Sequence, residues 1–285
     1  MKTHPGKELN SSFALPMGGS SIQLENIFRL LNQENTVNSP VNPNQIIMIP
    51  TIIYPGKLRI LVEKIEEQGH LTSEFLLQLI LSLHFLAEDF SELADFNHLK
   101  HYSYGRTKLY KENNFVIFLM SWAKNDFTAI HNHGQADWGA VYFLGEVNHR
   151  SYQVENNHLL LTGQSIIPTG TIVPVKGALV HAMGNLSDQP SLSLHIYGFN
   201  HPSETTDTTT RIFELEKKRI RFTSGEAFLD GHESFGKPSS EVTTNEETLV
   251  DYLKIILPYY EINHRPAMVK QIKAILQDPS SYFRK

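Results

Sequence analysis

The sequence predicts a mainly β fold, a small barrel or jelly roll, with α-helical extensions at its N- and C-terminal ends. Three observations predict it. From about Tyr102 to Thr223 the chain is a series of short β-branched or aromatic runs split by Gly, Pro and Asn. Before residue 100, apolar residues instead recur at three- and four-residue steps. The same helical spacing returns in LVDYLKIILPYY and PAMVKQIKAILQ near the C-terminus.

Taken in order, residues 1–55 read as a flexible Gly-, Ser- and Pro-rich arm with one short helix, IQLENIFRLLNQ. The following NSPVNPNQ is a loop, because its prolines and asparagines disfavour both helix and strand. Residues 56–100 form a helical segment expected to pack on the barrel, with Ser73 as the N-cap of its second helix and His84 as a satisfied core histidine. Residues 101–225 form the barrel. Its strands are NFVIFLMSW, AVYFLGEVNHRSYQV, HLLLTGQSIIP, TIVPVKGALVHAMG, SLSLHIYGF and TRIFELEKKRIRFT. Residues 226–285 read as a polar linker followed by the C-terminal helical extension. No internal repeat is visible.

Composition narrows the function classes. A content of 40% hydrophobic and 19% charged residues fits a soluble globular protein with a sizeable core. The net charge is -5 and the basic residues are dispersed, so no nucleic-acid footprint is expected. The densest basic run, Glu216 to Arg221, reads as a solvated strand or turn. No cysteine is present, which leaves only nitrogen and oxygen ligands for a metal and removes thiol nucleophiles and disulfides. The N-terminus lacks the apolar core of a signal peptide, and Phe75–Phe90 turns acidic too early to span a bilayer. The expectation is a cytoplasmic protein with no membrane and no nucleic-acid partner, monomer or homodimer undecided.

Three period-two constellations then draw notice. On an extended strand, alternate residues share a face. His131 and His133 form one such pair, Ser193, His195 and Tyr197 a second set, and Tyr104 and Arg106 a third. Leu192, Leu194 and Ile196 take the opposite side of their strand. One reading is three amphipathic strands whose polar faces meet water. The other is a barrel holding a polar site inside, its outer apolar faces covered by the flanking helices, and the three sets together favour it. The remaining histidines, among them His149, His158, His201 and His232, fit no motif and are read as exposed.

At these residues the sequence resembles the cupin superfamily. His131-Asn132-His133 matches the start of the first cupin motif, with Gly145 as its closing glycine. Trp138 stands at the acidic position of that motif, and Asp137 is one step out of phase. Pro174, Gly177, His181 and Asn185 match the second motif, with one extra residue between the proline and the glycine. The resemblance implies a cupin that keeps three histidines and lacks the glutamate, with His131, His133 and His181 as metal ligands.

The three-histidine pattern further resembles cysteine dioxygenase and its thiol dioxygenase relatives. Their strand of the form S-L-H-x-Y is matched by Ser193-Leu194-His195-Ile196-Tyr197, and their Tyr-x-Arg pair by Tyr104-Gly105-Arg106. The likeness runs from about His101 to Thr223. It implies Fe(II) held by His131, His133 and His181, and a substrate carboxylate bound by Arg106 beside Tyr104. It also implies a Ser193–His195–Tyr197 relay at the reacting centre. The implied reaction takes a small thiol and O2 to a sulfinate, with cysteine or a related thiol carboxylate as the substrate and a place in cysteine catabolism. The chain departs from the family in three places. Without cysteine no thioether to the tyrosine can form, GFNHP replaces the family's Ser-Pro-Pro turn after Tyr197, and the C-terminal helices lie outside the likeness. Alternatives are another metal-dependent cupin oxygenase with a non-thiol substrate, and a metal-free cupin module binding a small acid through Arg106.

Overall fold

The computed structural model describes residues 56–284 except 69–70, 113, 135, 176, 200–208 and 232–239. The arm and short helix expected in 1–55 lie outside the described residues, as do His201 and His232. The remaining elements stack as four layers: two helices, a five-stranded sheet, an eight-stranded sheet and two further helices.

The outer layer on one side is α1 (Gly56–Glu66) and α2 (Ser73–Leu83). The N-cap of α2 is Thr72, not Ser73. Thr72 has the extended backbone a cap requires (φ -125°, ψ 156°), and its Oγ1 accepts the Phe75 N–H at 3.2 Å. Ser73 is instead the first helical residue, and its Oγ accepts the Gly139 N–H at 3.3 Å, tying helix to sheet. His84 is not a core residue either. It ends α2 in the left-handed conformation (φ 47°) and its ring is exposed, because the chain must leave the helix there.

The five-stranded sheet has the order β1-β2-β9-β4-β7, built from β1 (Gly105–Glu112), β2 (Phe115–Trp122), β9 (Ser191–Gly198), β4 (Trp138–Phe143) and β7 (Ile172–Pro174). The second sheet has the order β12-β11-β10-β3-β8-β5-β6-β13. Its central strands are β10 (Thr210–Glu214), β3 (Ile130–His131), β8 (Val180–Gly184) and β5 (Val147–Glu155). On one flank are β11 (Arg219–Thr223) and β12 (Ser240–Glu241); on the other are β6 (His158–Ile167) and β13 (Thr243–Thr244). Nearly every pairing is antiparallel, and from β2 to β5 and from β6 to β10 the chain passes from one sheet to the other at each step. This is a two-sheet jelly roll with helices at both ends.

Period-two alternation sorts the apolar residues into three cores. From β2, Phe115, Ile117 and Leu119 join Leu192, Leu194 and Ile196 of β9 beneath α1 and α2. Phe118, Met120 and Trp122 face the other way, into the space between the sheets, with Val141, Phe143, Val147 and Met183. The outer face of the eight-stranded sheet is covered by α3 (Glu246–Ile262) and α4 (Pro266–Gln277), where Leu249, Tyr252, Leu253, Ile256 and Ile272 pack on Ile130, Ala182, Ile212 and Ile220. Because both apolar outer faces are covered, the one polar stripe of β9 can lie only inside.

The Glu216–Arg221 run is not a wholly solvated one: Lys218 is exposed, but both of its ends are buried. It closes the β10–β11 hairpin under α3, with Glu216 at 2% and Arg221 at 3% exposure. Among the described residues no helix is long and apolar enough to cross a membrane.

Candidate metal centre

Between the sheets lies a cavity of about 440 Å³. Its wall includes Arg106 and Tyr104 before it, Phe118 and Met120 on β2, His131 and His133, His181 on β8, and His195 and Tyr197 on β9. Every site residue predicted from the sequence except Ser193 touches this space, and Ser193 stands directly behind it.

His131 and His181 are cross-strand partners in the β3–β8 pairing. His133 lies beyond the end of β3, so strand alternation alone does not aim it. Asn132 does: its Oδ1 accepts the Arg211 N–H at 2.7 Å, and its own N–H donates to the Arg211 carbonyl at 3.2 Å. The chain is thereby held to β10 while His133 turns inward. The three imidazole rings lie with centroids 4.7 to 5.3 Å apart. One ring nitrogen from each falls within 4.8 Å of the other two, a grouping able to hold a metal ion.

The protonation of these rings follows from their surroundings. His131 Nδ1 donates to the Ala129 carbonyl at 2.9 Å, which leaves its Nε2 as a lone-pair donor. Burial, reinforced by His149, brings its pKa to about 4 despite that hydrogen bond. His133 and His181 are held well below the usual imidazole range, first by burial and then by the neighbouring histidines. All three are therefore neutral near pH 7. Both nitrogens of His133 and the Nε2 of His181 are buried with no hydrogen-bond partner among the described residues. Three neutral nitrogen ligands in one pocket, two of them with buried nitrogens that lack a partner among the described residues, fit a divalent transition metal.

Beside the triad runs a hydrogen-bonded chain longer than the sequence suggests. Trp122 Nε1 donates to Ser193 Oγ at 2.9 Å, Ser193 Oγ lies 2.8 Å from His195 Nε2, and His195 Nδ1 lies 2.8 Å from Tyr197 Oη. The indole fixes the direction. Trp122 can only donate, so the fully buried Ser193 hydroxyl keeps its own proton for His195. His195 then carries its proton on Nδ1 and gives it to the Tyr197 oxygen, and Tyr197 turns its O–H into the cavity. Burial, then His131 and Arg106, bring His195 to about 3, and burial raises Tyr197 above the usual phenol range. The Tyr197 ring lies 5.3 Å from that of His133, centroid to centroid.

Arg106 lies with its guanidinium 3.7 Å above the Phe118 ring, a stacking that holds the fork flat against the wall. One end, Nη1, meets Glu226 Oε1 at 3.4 Å, while Nε is buried without a partner among the described residues. Glu226 was invisible in the sequence because it sits in a stretch that reads as polar linker. Ala227 and Leu229 are in fact buried, and their N–H groups donate to Tyr104 Oη and Ser103 Oγ at 3.2 and 3.0 Å. Tyr104 thus anchors this segment against the barrel, stacked on Trp122 with centroids 5.2 Å apart.

Three further sequence readings are settled by placement. Trp138 does not line the cavity; it is buried in the core beneath α1 and α2, its indole lying across Gly198, where any Cβ would overlap the ring. Asn185 is structural, its side-chain amide donating to the Trp122 and Gln189 carbonyls. His149 is not a bystander: it is half-buried, and its Nε2 lies 2.9 Å from His181 Nδ1. No signal in the one-dimensional pattern marks it, because the contact is diagonal between β5 and β8.

No protein-family profile matches the sequence. Among solved structures, TT1209 from Thermus thermophilus is similar over 40% of this chain and 97% of its own, at 18% identity and a TM-score of 0.32. An uncharacterized conserved protein with a double-stranded beta-helix domain from Klebsiella pneumoniae matches 35% of this chain and 80% of its own, at 15% identity and a TM-score of 0.28. The cupin domain of Cnp3 from Schizosaccharomyces pombe matches 34% of this chain and 64% of its own, at 9% identity and a TM-score of 0.28.

Proposed function

We propose that this protein is an Fe(II)-dependent thiol dioxygenase of the cytoplasm, converting cysteine or a related small thiol carboxylate to its sulfinate. The observation that carries the proposal is the convergence on one cavity of the histidine triad, the Trp122–Ser193–His195–Tyr197 chain and the Arg106 guanidinium. His131, His133 and His181 would hold the metal. When bound, Fe(II) supplies a Lewis-acidic, redox-active centre for thiolate and dioxygen. Three neutral ligands leave its charge uncompensated, which favours an anionic substrate sulfur.

The chain's own residues supply the rest. Arg106, with its buried Nε unpartnered among the described residues, offers donors to a carboxylate, and its stacking on Phe118 limits the fork's freedom. Tyr197 holds a proton at Oη, aimed into the cavity and replenished in orientation by His195. Phe118, Met120, Val116 and Met183 supply apolar stretches of the wall, while Lys108, Lys111, Thr128 and Ser224 add polar ones. The overall change is balanced without an outside reductant. Two S–O bonds form, the O–O bond breaks, sulfur is oxidised and both oxygen atoms stay in the product.

The test is anaerobic reconstitution with Fe(II), followed by oxygen uptake with cysteine, 3-mercaptopropionate and cysteamine in parallel. Uptake with a thiol carboxylate, two labelled oxygens in the sulfinate and loss of activity in Arg106→Ala support the proposal. Uptake with cysteamine alone removes the carboxylate role of Arg106. Tight iron binding with no thiol-dependent uptake overturns the reaction class.

A further inference from the structure

His149 lies on β5, outside the cavity wall and behind His181. The β5–β8 register sets Ser151 opposite His181 and His149 opposite Met183, so the two histidines meet on the diagonal. Their ring centroids are 5.1 Å apart, and His149 Nε2 lies 2.9 Å from His181 Nδ1. A single proton occupies that contact, and which ring owns it decides what His181 can do.

If His149 owned the proton, His181 Nδ1 would accept it. A neutral His181 would then carry its own proton on Nε2. That atom is buried without a partner among the described residues, and the rings of His131 and His133 stand 4.7 and 4.8 Å away. A buried N–H facing two imidazoles with no acceptor in hydrogen-bond reach is costly. If His181 owns the proton on Nδ1, the unpartnered Nε2 is a lone pair directed at the triad. We infer that His149 is a positioning residue of the metal centre: it accepts the Nδ1 proton of His181 and so keeps His181 Nε2 free to bind metal.

His149 then carries its own proton on Nδ1. Its role parallels that of the Ala129 carbonyl, which takes the Nδ1 proton of His131. The two differ in one respect: a carbonyl only accepts, whereas an imidazole is an acceptor in one tautomer alone. The inference rests on the metal centre proposed above, but not on thiol chemistry.

The test uses the full chain as wild type, His149→Phe and His149→Gln. Co(II) and Fe(II) affinities are measured anaerobically by competition with a chromophoric chelator. The tautomer of His181 is read by nitrogen NMR of the metal-free protein, and melting curves check that each variant folds. His149→Phe is expected to bind metal about 10- to 100-fold more weakly and to lose the uniform Nδ1–H tautomer of His181. His149→Gln, whose carbonyl accepts in the same place, is expected to recover most of both. Wild-type affinity and an unchanged tautomer in His149→Phe would overturn the inference alone. A wild-type chain that binds neither metal would overturn the metal centre and the inference together.

Discussion

Two buried polar networks lie on opposite faces of the eight-stranded sheet, and they are built on opposite principles. Inside the barrel, His133 and His181 keep buried ring nitrogens with no partner among the described residues, and one nitrogen of each lies within 4.8 Å of one from His131. Under α3, Glu214 is 1% exposed yet its carboxylate meets Lys217, Arg219 and Arg221. Tyr260 Oη donates to Glu216 Oε1 at 2.8 Å, and Lys217 reaches on to Asp230 at 2.9 Å. The second network pairs the Glu214 carboxylate with cations of its own, leaving the single oxygen Glu216 Oε2 without a partner among the described residues, whereas the first gathers several unpartnered ring nitrogens in one place. Burial of polar groups by itself therefore does not mark a site; burial with several unmatched nitrogens converging on one point does.

The sharpest way to break this contrast is to remove one member of each network. Glu214→Ala leaves two or three cations buried or half-buried without their carboxylate, and should cost about 3–5 kcal/mol of stability. Denaturant unfolding would show it, and metal stoichiometry of the folded fraction should not change. His133→Ala removes a residue whose nitrogens make no hydrogen bond among the described residues, so metal-free stability should stay within about 1 kcal/mol of wild type. Metal binding should be lost. Equal destabilisation by the two substitutions would mean that the histidines are ordinary core residues.

Acid titration is the next largest effect. For His131 and His195 the folded pKa values, about 4 and about 3, lie below the ordinary 6.5. As pH falls below 6.5 the unfolded chain takes up protons that the folded one refuses, so stability falls. Each histidine contributes about 1.4 kcal/mol per pH unit, down to about pH 4 for His131 and pH 3 for His195. The metal-free protein should therefore lose stability steadily from pH 6.5 to pH 5, followed by chemical denaturation. A flat profile would place these rings in contact with water.

Glu216 has the opposite sign. Burial, then repulsion from Glu214, raises its pKa to about 7 from an ordinary 4.5. Between those values the unfolded chain releases a proton that the folded one retains, so this group's contribution declines as pH rises and is level above pH 7. Glu216→Gln should remove that decline. The stability difference between variant and wild type should grow in the variant's favour from pH 4.5 to 7, reaching at most about 3 kcal/mol. A difference independent of pH would mean that Glu216 is ionised throughout.

How far these networks were legible in the sequence depends on how local their geometry is. Strand alternation is local, so Ser193, His195 and Tyr197 on one side and Leu192, Leu194 and Ile196 on the other could be read directly. Helical spacing gave α1 to α4 for the same reason. Cross-strand registers are not local. Nothing near residue 122 announces that its indole reaches Ser193, and nothing near residue 149 announces His181. The Glu216–Arg221 run misled for a related reason: charge suggests solvent unless the partners and the covering helix are known, and both come from elsewhere in the chain. Glu226 was hidden in a segment whose polarity conceals the two apolar residues, Ala227 and Leu229, that pin it to the barrel.

Glu226 also supplies the finest test, because it sits where the two principles meet. Its contact with Arg106 resembles the ion pairs of the outer network, yet it is long at 3.4 Å and its carboxylate is 35% exposed. Its other oxygen accepts from Ser224 Oγ at 2.9 Å. A half-exposed pair of this kind contributes about 0.2–1 kcal/mol, little enough for a substrate carboxylate to displace. Glu226→Gln should therefore tighten binding of a thiol carboxylate by up to about fivefold, the equivalent of that energy. Binding of cysteamine, which has no carboxylate, should not change. Anaerobic titration of the Fe(II)-loaded protein with each thiol would measure both. Weaker binding of the carboxylate in the variant would show instead that Glu226 holds the guanidinium in place, and that the Phe118 ring alone does not.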